Sequence, residues 1–240
     1  MSRLLTALPV FNEAKTLNWV LDKVAHHATD VLVVNDGSSD ATGELLKKRT
    51  DIRVVTHANN RGYGAALMTA FEFAIDQGYD AIVTMDCDGQ HEPELIRPFA
   101  NRLEESGADI VSGSRYMAGA GQQGVVPIER RRINFQITQF LNARLKLNLS
   151  DSFCGFKAYR VSALSDFRLS EQGYAMPLEL WVQAACRGMK IIEMPVPLIY
   201  LDEKRSFGGT LDDGDTRLKY YLDVIEKSLA KMPCSTPCKG

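Results

Sequence analysis

The 240-residue chain has no apolar run approaching the roughly 18 residues that a bilayer-spanning helix needs. Its N-terminus runs from Met1 into an apolar segment that Pro9 ends, which is too short for a secretory leader. The expectation is a chain that is cytoplasmic or rests peripherally on the cytoplasmic face of a membrane. Charge of one sign is also lacking: 28 Lys and Arg stand against 30 Asp and Glu, for a net charge of -2. No basic field therefore draws it to nucleic acid. Cysteines are few. Cys87, Cys154, Cys186, Cys234 and Cys238 are odd in number and scattered, which reads as a reducing compartment rather than a disulfide scaffold. Cys234 and Cys238 have no second pair to complete a tetrahedral zinc site. Internal repeats and low-complexity tracts are absent too. What remains is ordinary globular composition at a length that buries one large core unaided.

The first 112 residues alternate between two hydrophobic periods. Short apolar runs at Leu4–Leu8, Val31–Val34, Ile52–Val55, Ala81–Met85 and Ile110–Val111 predict strands. Between them, 3.6-residue spacing predicts helices over Ala14–Ala25, from Asp40 as N-cap through Leu46, over Gly62–Ile75 and over Pro93–Leu103. Strands alternating with helices imply a mostly parallel sheet covered on both faces. After Ser112 the pattern changes. Gly119, Gly121, Gly124 and Pro127 predict a loop over 117–127, and a second loop is expected over Lys204–Asp215. Helices are expected over Ile128–Leu147, Pro177–Arg187 and Thr216–Leu229, a strand over Phe153–Arg160, and extended chain over Ile191–Tyr200. The expected organisation is one domain over 1–232, in two functional halves (1–112 and 113–232), with a polar tail at 233–240.

In an open parallel sheet ligands bind at the carboxyl ends of the strands. The first strand is followed by Pro9-Val10-Phe11-Asn12-Glu13, the second by Asn35-Asp36-Gly37-Ser38-Ser39-Asp40, the fourth by Asp86-Cys87-Asp88-Gly89-Gln90-His91, and the fifth by Gly113-Ser114-Arg115-Tyr116. Carboxylates gather on one edge. Asp86 and Asp88, one residue apart beyond a core strand, can share a hard divalent cation such as Mg2+ or Mn2+, which would also meet substrate phosphates and neutralise a departing diphosphate. Asp36 suits recognition of a base edge or ribose, or simply a turn. Asn12-Glu13 combines a helix cap with a nucleotide contact. Gly62-Tyr63-Gly64 opens a helix, but Leu67 stands where a dinucleotide fingerprint needs its third glycine. Close backbone packing near an anionic ligand is the better reading.

These motifs, in this order, resemble the family 2 glycosyltransferases of GT-A fold. Gln90-His91-x-Pro93-Glu94, Gly113-Ser114-Arg115-Tyr116 and Cys154-Gly155-Phe156-Lys157-Ala158-Tyr159-Arg160 resemble its dolichol-phosphate mannosyltransferase branch. The resemblance covers roughly residues 4–205. It implies a Rossmann-like α/β sheet sandwiched by helices and an inverting, metal-dependent transfer of mannose or glucose from GDP-mannose or a UDP-sugar such as UDP-glucose to a polyprenyl or dolichyl phosphate. By the same resemblance Pro9, Phe11, Glu13 and Asp36 hold the nucleotide, with Gly62 close by. Asp86, Asp88 and Gln90 surround metal and diphosphate. Arg115 and Arg130, Arg131 and Arg132 face the acceptor phosphate, and Asp151 lies near the reacting centre.

A lipid phosphate is already ionised at neutral pH and needs positioning more than a general base. The planar guanidinium of arginine matches its oxygens in pairs. The run at 130–132 is thus a phosphate clamp or a solvated basic patch, and Arg205 joins the phosphates if its loop closes over them. Asp151 is a base, an electrostatic group or a turn cap. Ile133, Ile137, Phe140, Leu141 and Leu145 make one helical stripe, which suits a membrane interface or, somewhat better, the core. Many relatives of this branch add transmembrane helices, whereas this tail is polar. A peripheral membrane contact or a membrane partner protein is therefore expected. The Lys204-Arg205-Ser206-Phe207-Gly208-Gly209-Thr210 stretch is also less basic than the family's late loop. Rival readings are a transferase with a sugar or protein hydroxyl acceptor, a nucleotidyltransferase, and a non-catalytic nucleotide-sugar binding subunit.

Overall fold

The computed structural model describes residues 3–124, 126–200 and 209–232. In chain order the elements are β1 Leu4–Val10, α1 Leu17–Ala25, β2 Val31–Asn35, α2 Thr42–Leu46, β3 Arg53–Thr56, α3 Tyr63–Asp76, β4 Ala81–Thr84, α4 Ile96–Ser106 and β5 Ile110–Ser114. There follow β6 Gln122–Gln123, α5 Ile128–Leu145, β7 Lys157–Arg160, α6 Val161–Leu164, α7 Met176–Cys186, β8 Ile191–Pro195, β9 Leu198–Ile199 and α8 Gly214–Lys231. Seven strands form one sheet in the order β3-β2-β1-β4-β7-β5-β8. The β6 and β9 strands pair in parallel as a separate ribbon.

The inner strands β1, β2, β4 and β5 are buried on both faces because each alternates between two cores. Leu5, Ala7, Leu32 and Val34 point to one side, where α3, α5, α7 and α8 contribute Phe71, Ile137, Trp181 and Ile225. Leu8, Val10, Val31 and Val33 point to the other, against Leu17, Leu21 and Val24 of α1 and Phe99 of α4. A strand of apolar residues at every position can therefore sit only in the middle of such a sandwich.

Five predicted strands and the helices between them are present with shifted ends. The Ala14–Ala25 helix begins only at Leu17. Asp40 is not the N-cap of α2, a place taken by Ala41, but its carboxylate accepts from Thr42 N at 2.9 Å. The Pro93–Leu103 segment opens with a 3-10 turn before α4. The strand expected over Phe153–Arg160 is shorter: Phe153–Phe156 is the turn into a four-residue β7. The loop expected over 117–127 carries the two-residue β6, and the extended chain expected over Ile191–Tyr200 is present as β8 and β9. The stripe on α5 faces protein, not membrane: Ile133, Ile137 and Leu141 are buried and Phe140 and Leu145 pack against the same core. The Lys204–Asp215 loop falls partly outside the described residues, and from Gly209 it forms a 3-10 turn ahead of α8. Asp213 caps α8 by accepting from Thr216 N at 2.8 Å. Cys87 and Cys154 are buried free thiols, while Cys186 is disulfide-bonded, which the composition did not foretell. No helix of the described residues is long and apolar enough to cross a membrane.

The sheet is mixed. β7 runs antiparallel between β4 and β5, pairing Thr84 with Lys157 on one side and Ser112 with Lys157 on the other. Its leading turn therefore emerges on the edge where β4 and β5 end.

Candidate active site

Along that edge a cavity of about 410 Å³ collects the strand-end clusters. At the end of β1, Asn12 adopts a left-handed φ of 56°. Its side-chain oxygen accepts from Ser39 N at 2.8 Å and Asp40 N at 3.2 Å, which staples the first loop to the second. Pro9, Phe11 and Glu13 line the cavity beside it. At the end of β2, Asp36 is 2% exposed yet also contributes to the lining. Its carboxylate accepts from His57 Nδ1 at 2.6 Å, Arg61 N at 2.9 Å and Gly62 N at 2.7 Å. The sequence reading did not single out His57. Asp36 thus binds three elements together at the mouth of α3. Gly62 has φ 105°, and a Cβ there would lie 2.4 Å from the Gln172 carbonyl oxygen, so only glycine fits.

Asp86 follows β4. Its N–H donates to His91 Nδ1 at 3.0 Å, which closes the 86–91 turn. The Tyr63 hydroxyl donates to Asp86 Oδ1 at 3.1 Å. Burial and the adjacent Asp86 charge push that phenol well above its ordinary range, so it remains a donor. Asp88 Oδ1 accepts from Gln90 N at 2.9 Å. The Asp86 side chain is 29% exposed, and Asp86, Asp88 and Gln90 all line the cavity. Among the described residues no group of three or more His, Cys, Asp or Glu side chains is set to hold an ion. Two carboxylates on one turn match a hard cation whose shell is completed by substrate oxygens, which is how Mg2+-type sites are commonly built.

Behind Asp86 lies the turn into β7. A Cβ on Gly155 would meet Asp86 Oδ2 at 2.4 Å, and Thr84 Oγ1 donates to the Gly155 carbonyl at 2.9 Å. Buried Lys157 donates to the carbonyl of Cys154 and so holds the same turn. Gly155→Ala is therefore expected to push the Asp86 carboxylate off its position. Nucleotide affinity in Mn2+ should fall at least tenfold while the melting temperature changes by only a few degrees. Isothermal titration checks it, and unchanged affinity would dismiss the contact.

Arg115 follows β5. Its Nε and Nη2 donate to Asp151 Oδ2 and Oδ1 at 2.6 and 2.9 Å. Asn134 Nδ2 and Phe153 N also donate to Asp151 Oδ1, at 2.8 and 3.1 Å. Burial by itself would raise the Asp151 carboxyl, but the charge and hydrogen bonds of Arg115 prevail and hold it at about 2. Asp151 thus lies one side chain back from the cavity, bonded to Arg115, Asn134 and Phe153 of its lining. It is 0% exposed and sits behind Arg115, outside the lining. A carboxylate so acidic and so fully engaged is a poor proton acceptor.

The arginine run is divided by the roughly 100° step of the helix. Arg130 lines the cavity, with its guanidinium 5.7 Å from the Tyr200 ring. Arg131 lies over Tyr116, and Arg132 pairs with Asp215 at 3.6 Å. Neither of these two joins the lining. Arg205 lies outside the described residues. Arg217 of α8 was not anticipated. It is 3% exposed, lines the cavity, donates to the Leu211 carbonyl at 2.7 Å and pairs with Glu129 at 3.5 Å. A signal did exist: Arg217 falls on the same helical stripe as Tyr221, Val224, Ile225 and Ser228, all buried. The lining also carries an apolar wall that includes Ile133, Phe153, Tyr174, Pro177 and Tyr221. Tyr63 and Tyr174 stack at 5.9 Å within it.

Comparison with known proteins agrees with this architecture. The family model described as "Glycosyl transferase family 2" matches residues 6–168. The undecaprenyl-phosphate mannosyltransferase of Micrococcus luteus is 31% identical over 222 residues, 88% of this chain and 90% of that protein. The polyprenol monophosphomannose synthase of Mycolicibacterium smegmatis is 31% identical over 205 residues, 81% of this chain and 76% of that one. Among solved structures, glucosyl-3-phosphoglycerate synthase from Mycobacterium tuberculosis, in complex with Mn2+, UDP and glucosyl-3-phosphoglycerate, superposes with a TM-score of 0.72. That match is 19% identical and covers 95% of this chain and 80% of that one, so it speaks for the GT-A fold alone. The family match spans most of the chain, and the strand-end motifs lie on the carboxyl edge of the sheet, where open α/β sheets bind ligands. The chain is a glycosyltransferase belonging to family 2.

Proposed function

We propose that the chain moves a hexose, mannose or glucose, from a nucleotide sugar (GDP-mannose or UDP-glucose) to a polyprenyl phosphate, with inversion at the anomeric carbon. The observation that carries this is the shared lining. One cavity joins the Asp86–Asp88 pair to three arginines, Arg115, Arg130 and Arg217, and to an apolar wall. Carboxylates that recruit a cation suit a diphosphate leaving group, and arginines beside apolar side chains suit a phosphate with a hydrocarbon tail. The two relatives named for polyprenyl-phosphate substrates point the same way.

In this reading Pro9, Phe11, Glu13 and Asp36 embrace the nucleoside, and Gly62 lets the backbone at the mouth of α3 come close. Bound at Asp86, Asp88 and Gln90, Mg2+ or Mn2+ would neutralise charge on the departing nucleoside diphosphate. Arg115, aimed by Asp151, and Arg130 hold the acceptor phosphate in line with the sugar. One phosphate oxygen attacks the anomeric carbon. The bond from that carbon to the diphosphate oxygen breaks, and its electron pair leaves with the nucleotide. No proton needs removing from the acceptor. The buried, ion-paired state of Asp151 favours this over a hydroxyl acceptor, which would need a general base.

A thermal-shift panel tests the donor side. GDP, UDP, GDP-mannose and UDP-glucose are each added with Mn2+ or with EDTA. A ligand at about 100 times its Kd stabilises by about 2.7 kcal/mol, which at this chain length is roughly 5–10 °C. One base is expected to give that shift in Mn2+ and to lose it in EDTA. No shift for any of the four would end the reading.

A further inference from the structure

We propose that His57 sets the base of the donor: by occupying one oxygen of Asp36 it leaves that carboxylate room for a single ligand N–H, which selects a uracil nucleotide over a guanine one. The inference rests on the nucleotide-sugar reading above and chooses between the two bases that it leaves open. An ionised carboxylate offers about four acceptor positions, shared equally between its oxygens. On Asp36 three of them are taken. The amides of Arg61 and Gly62 donate to Oδ1 and Oδ2 at 2.9 and 2.7 Å. His57 Nδ1 donates to Oδ1 at 2.6 Å, which fills that oxygen. One position is left, on Oδ2, and Asp36 belongs to the cavity lining.

The imidazole is held in that place from its other side. It is 8% exposed, and its Nε2 lies 2.9 Å from Thr69 Oγ1 of α3. An ionised carboxylate has no proton to share, so Nδ1 carries one, and the Thr69 hydroxyl meets the second nitrogen as donor or acceptor. The two amides are equally fixed, since they form the entry to α3. The bases differ in what they ask of such a group. Uracil presents one N–H on its pairing edge, between two carbonyls. Guanine presents N1–H and N2–H side by side, and a carboxylate answers both only when each oxygen has a position to spare. With Oδ1 filled, one guanine donor would be buried without an acceptor, at a cost of about tenfold or more in affinity. A carboxylate at this strand end suits either base, and His57 is the residue that narrows the choice. It does so as a positioning residue, bonded to Asp36 but outside the cavity lining.

The test is isothermal titration of the full chain with UDP and with GDP, each in Mn2+. The wild type is expected to bind UDP more tightly by about tenfold or more. His57→Leu fills similar space without a donor, so Oδ1 regains a position and the ratio should fall to about threefold or less. His57→Asn can place its Nδ2 where Nδ1 stands and should restore most of the wild-type ratio. A residue that only supported the fold would weaken both nucleotides together and leave their ratio alone. Circular dichroism checks the fold of each variant. If His57→Leu does not fold, the wild-type ratio and His57→Asn still decide. Wild type that binds GDP as tightly as UDP, His57→Leu that keeps the full ratio, or folded His57→Asn that loses it would each overturn the proposal while the transfer reading stands. Binding of neither nucleotide would remove the transfer reading, and the choice of base would fall with it.

Discussion

Asp86→Asn is expected to lower kcat/KM by roughly 10²–10³-fold, the scale seen when a preorganised group aimed at developing charge is removed. Asparagine keeps the size of the side chain and an oxygen for the Tyr63 hydroxyl, which donates to Oδ1 at 3.1 Å. The backbone bond from Asp86 N to His91 Nδ1 is also untouched. What changes is one negative charge facing the cavity. The signature is therefore specific: nucleotide affinity becomes insensitive to Mn2+ while the melting temperature stays within a degree or two. Asp88→Asn should behave alike. Tyr63→Phe removes only a hydrogen bond to a charged group, worth about 1.5–3 kcal/mol, so it should cost less than Asp86→Asn. Turnover by Asp86→Asn within about threefold of wild type would mean that the cavity does not work as described.

The second large effect is on stability. Asp151→Ala is expected to destabilise the fold by about 3–5 kcal/mol, the usual cost of removing one partner of a buried ion pair. Arg115 keeps 25% of its side chain exposed and can partly rehydrate, which favours the lower end. Asn134 and the Phe153 N–H lose an acceptor at the same time. Replacing both partners, as Arg115→Met/Asp151→Leu, should recover much of the stability, because no charge is then stranded. Activity should not return, since the guanidinium proposed to meet the acceptor phosphate is gone. A general base at Asp151 predicts a different split, in which Asp151→Asn loses turnover with Arg115 still in place and acceptor affinity intact.

The same pair sets an acid limit. The folded carboxyl titrates at about 2 against an ordinary value of 3.8. A depressed value means that the stabilisation is fully present above about pH 4 and is lost as pH falls toward 2, an amount on the order of 2 kcal/mol. Acid unfolding of Arg115→Met/Asp151→Leu should lack that component.

Much of the first half was legible because its signals are local. An apolar run ending in Asp36 or Asp86 fixes both a strand and the edge its carboxylate occupies, whatever the rest of the chain does. Other features depend on direction or rotation, which composition does not encode. The Lys157–Arg160 strand reads the same forwards and backwards, so its antiparallel course was invisible, and with it the approach of Gly155 to Asp86. Adjacent arginines at 130–132 look equivalent in a string but point about 100° apart on a helix. Asp151 sat in the right motif, yet its distance from the cavity depends on Arg115 reaching back to it. Arg217 was discernible only as a cation on a buried stripe, an anomaly that becomes meaningful once α8 is known to wall the cavity.

The antiparallel β7 has a further consequence, for how this molecule could be divided. A boundary near residue 112 would sever β5 from β7 while leaving β4 to face water along the edge that β7 now covers. Neither piece could close its own sheet. The portions before and after residue 112 are thus not modules that recombination could exchange intact. They are woven through a single returning strand, and a permuted or split version would have to keep residues 151–160 with the earlier part.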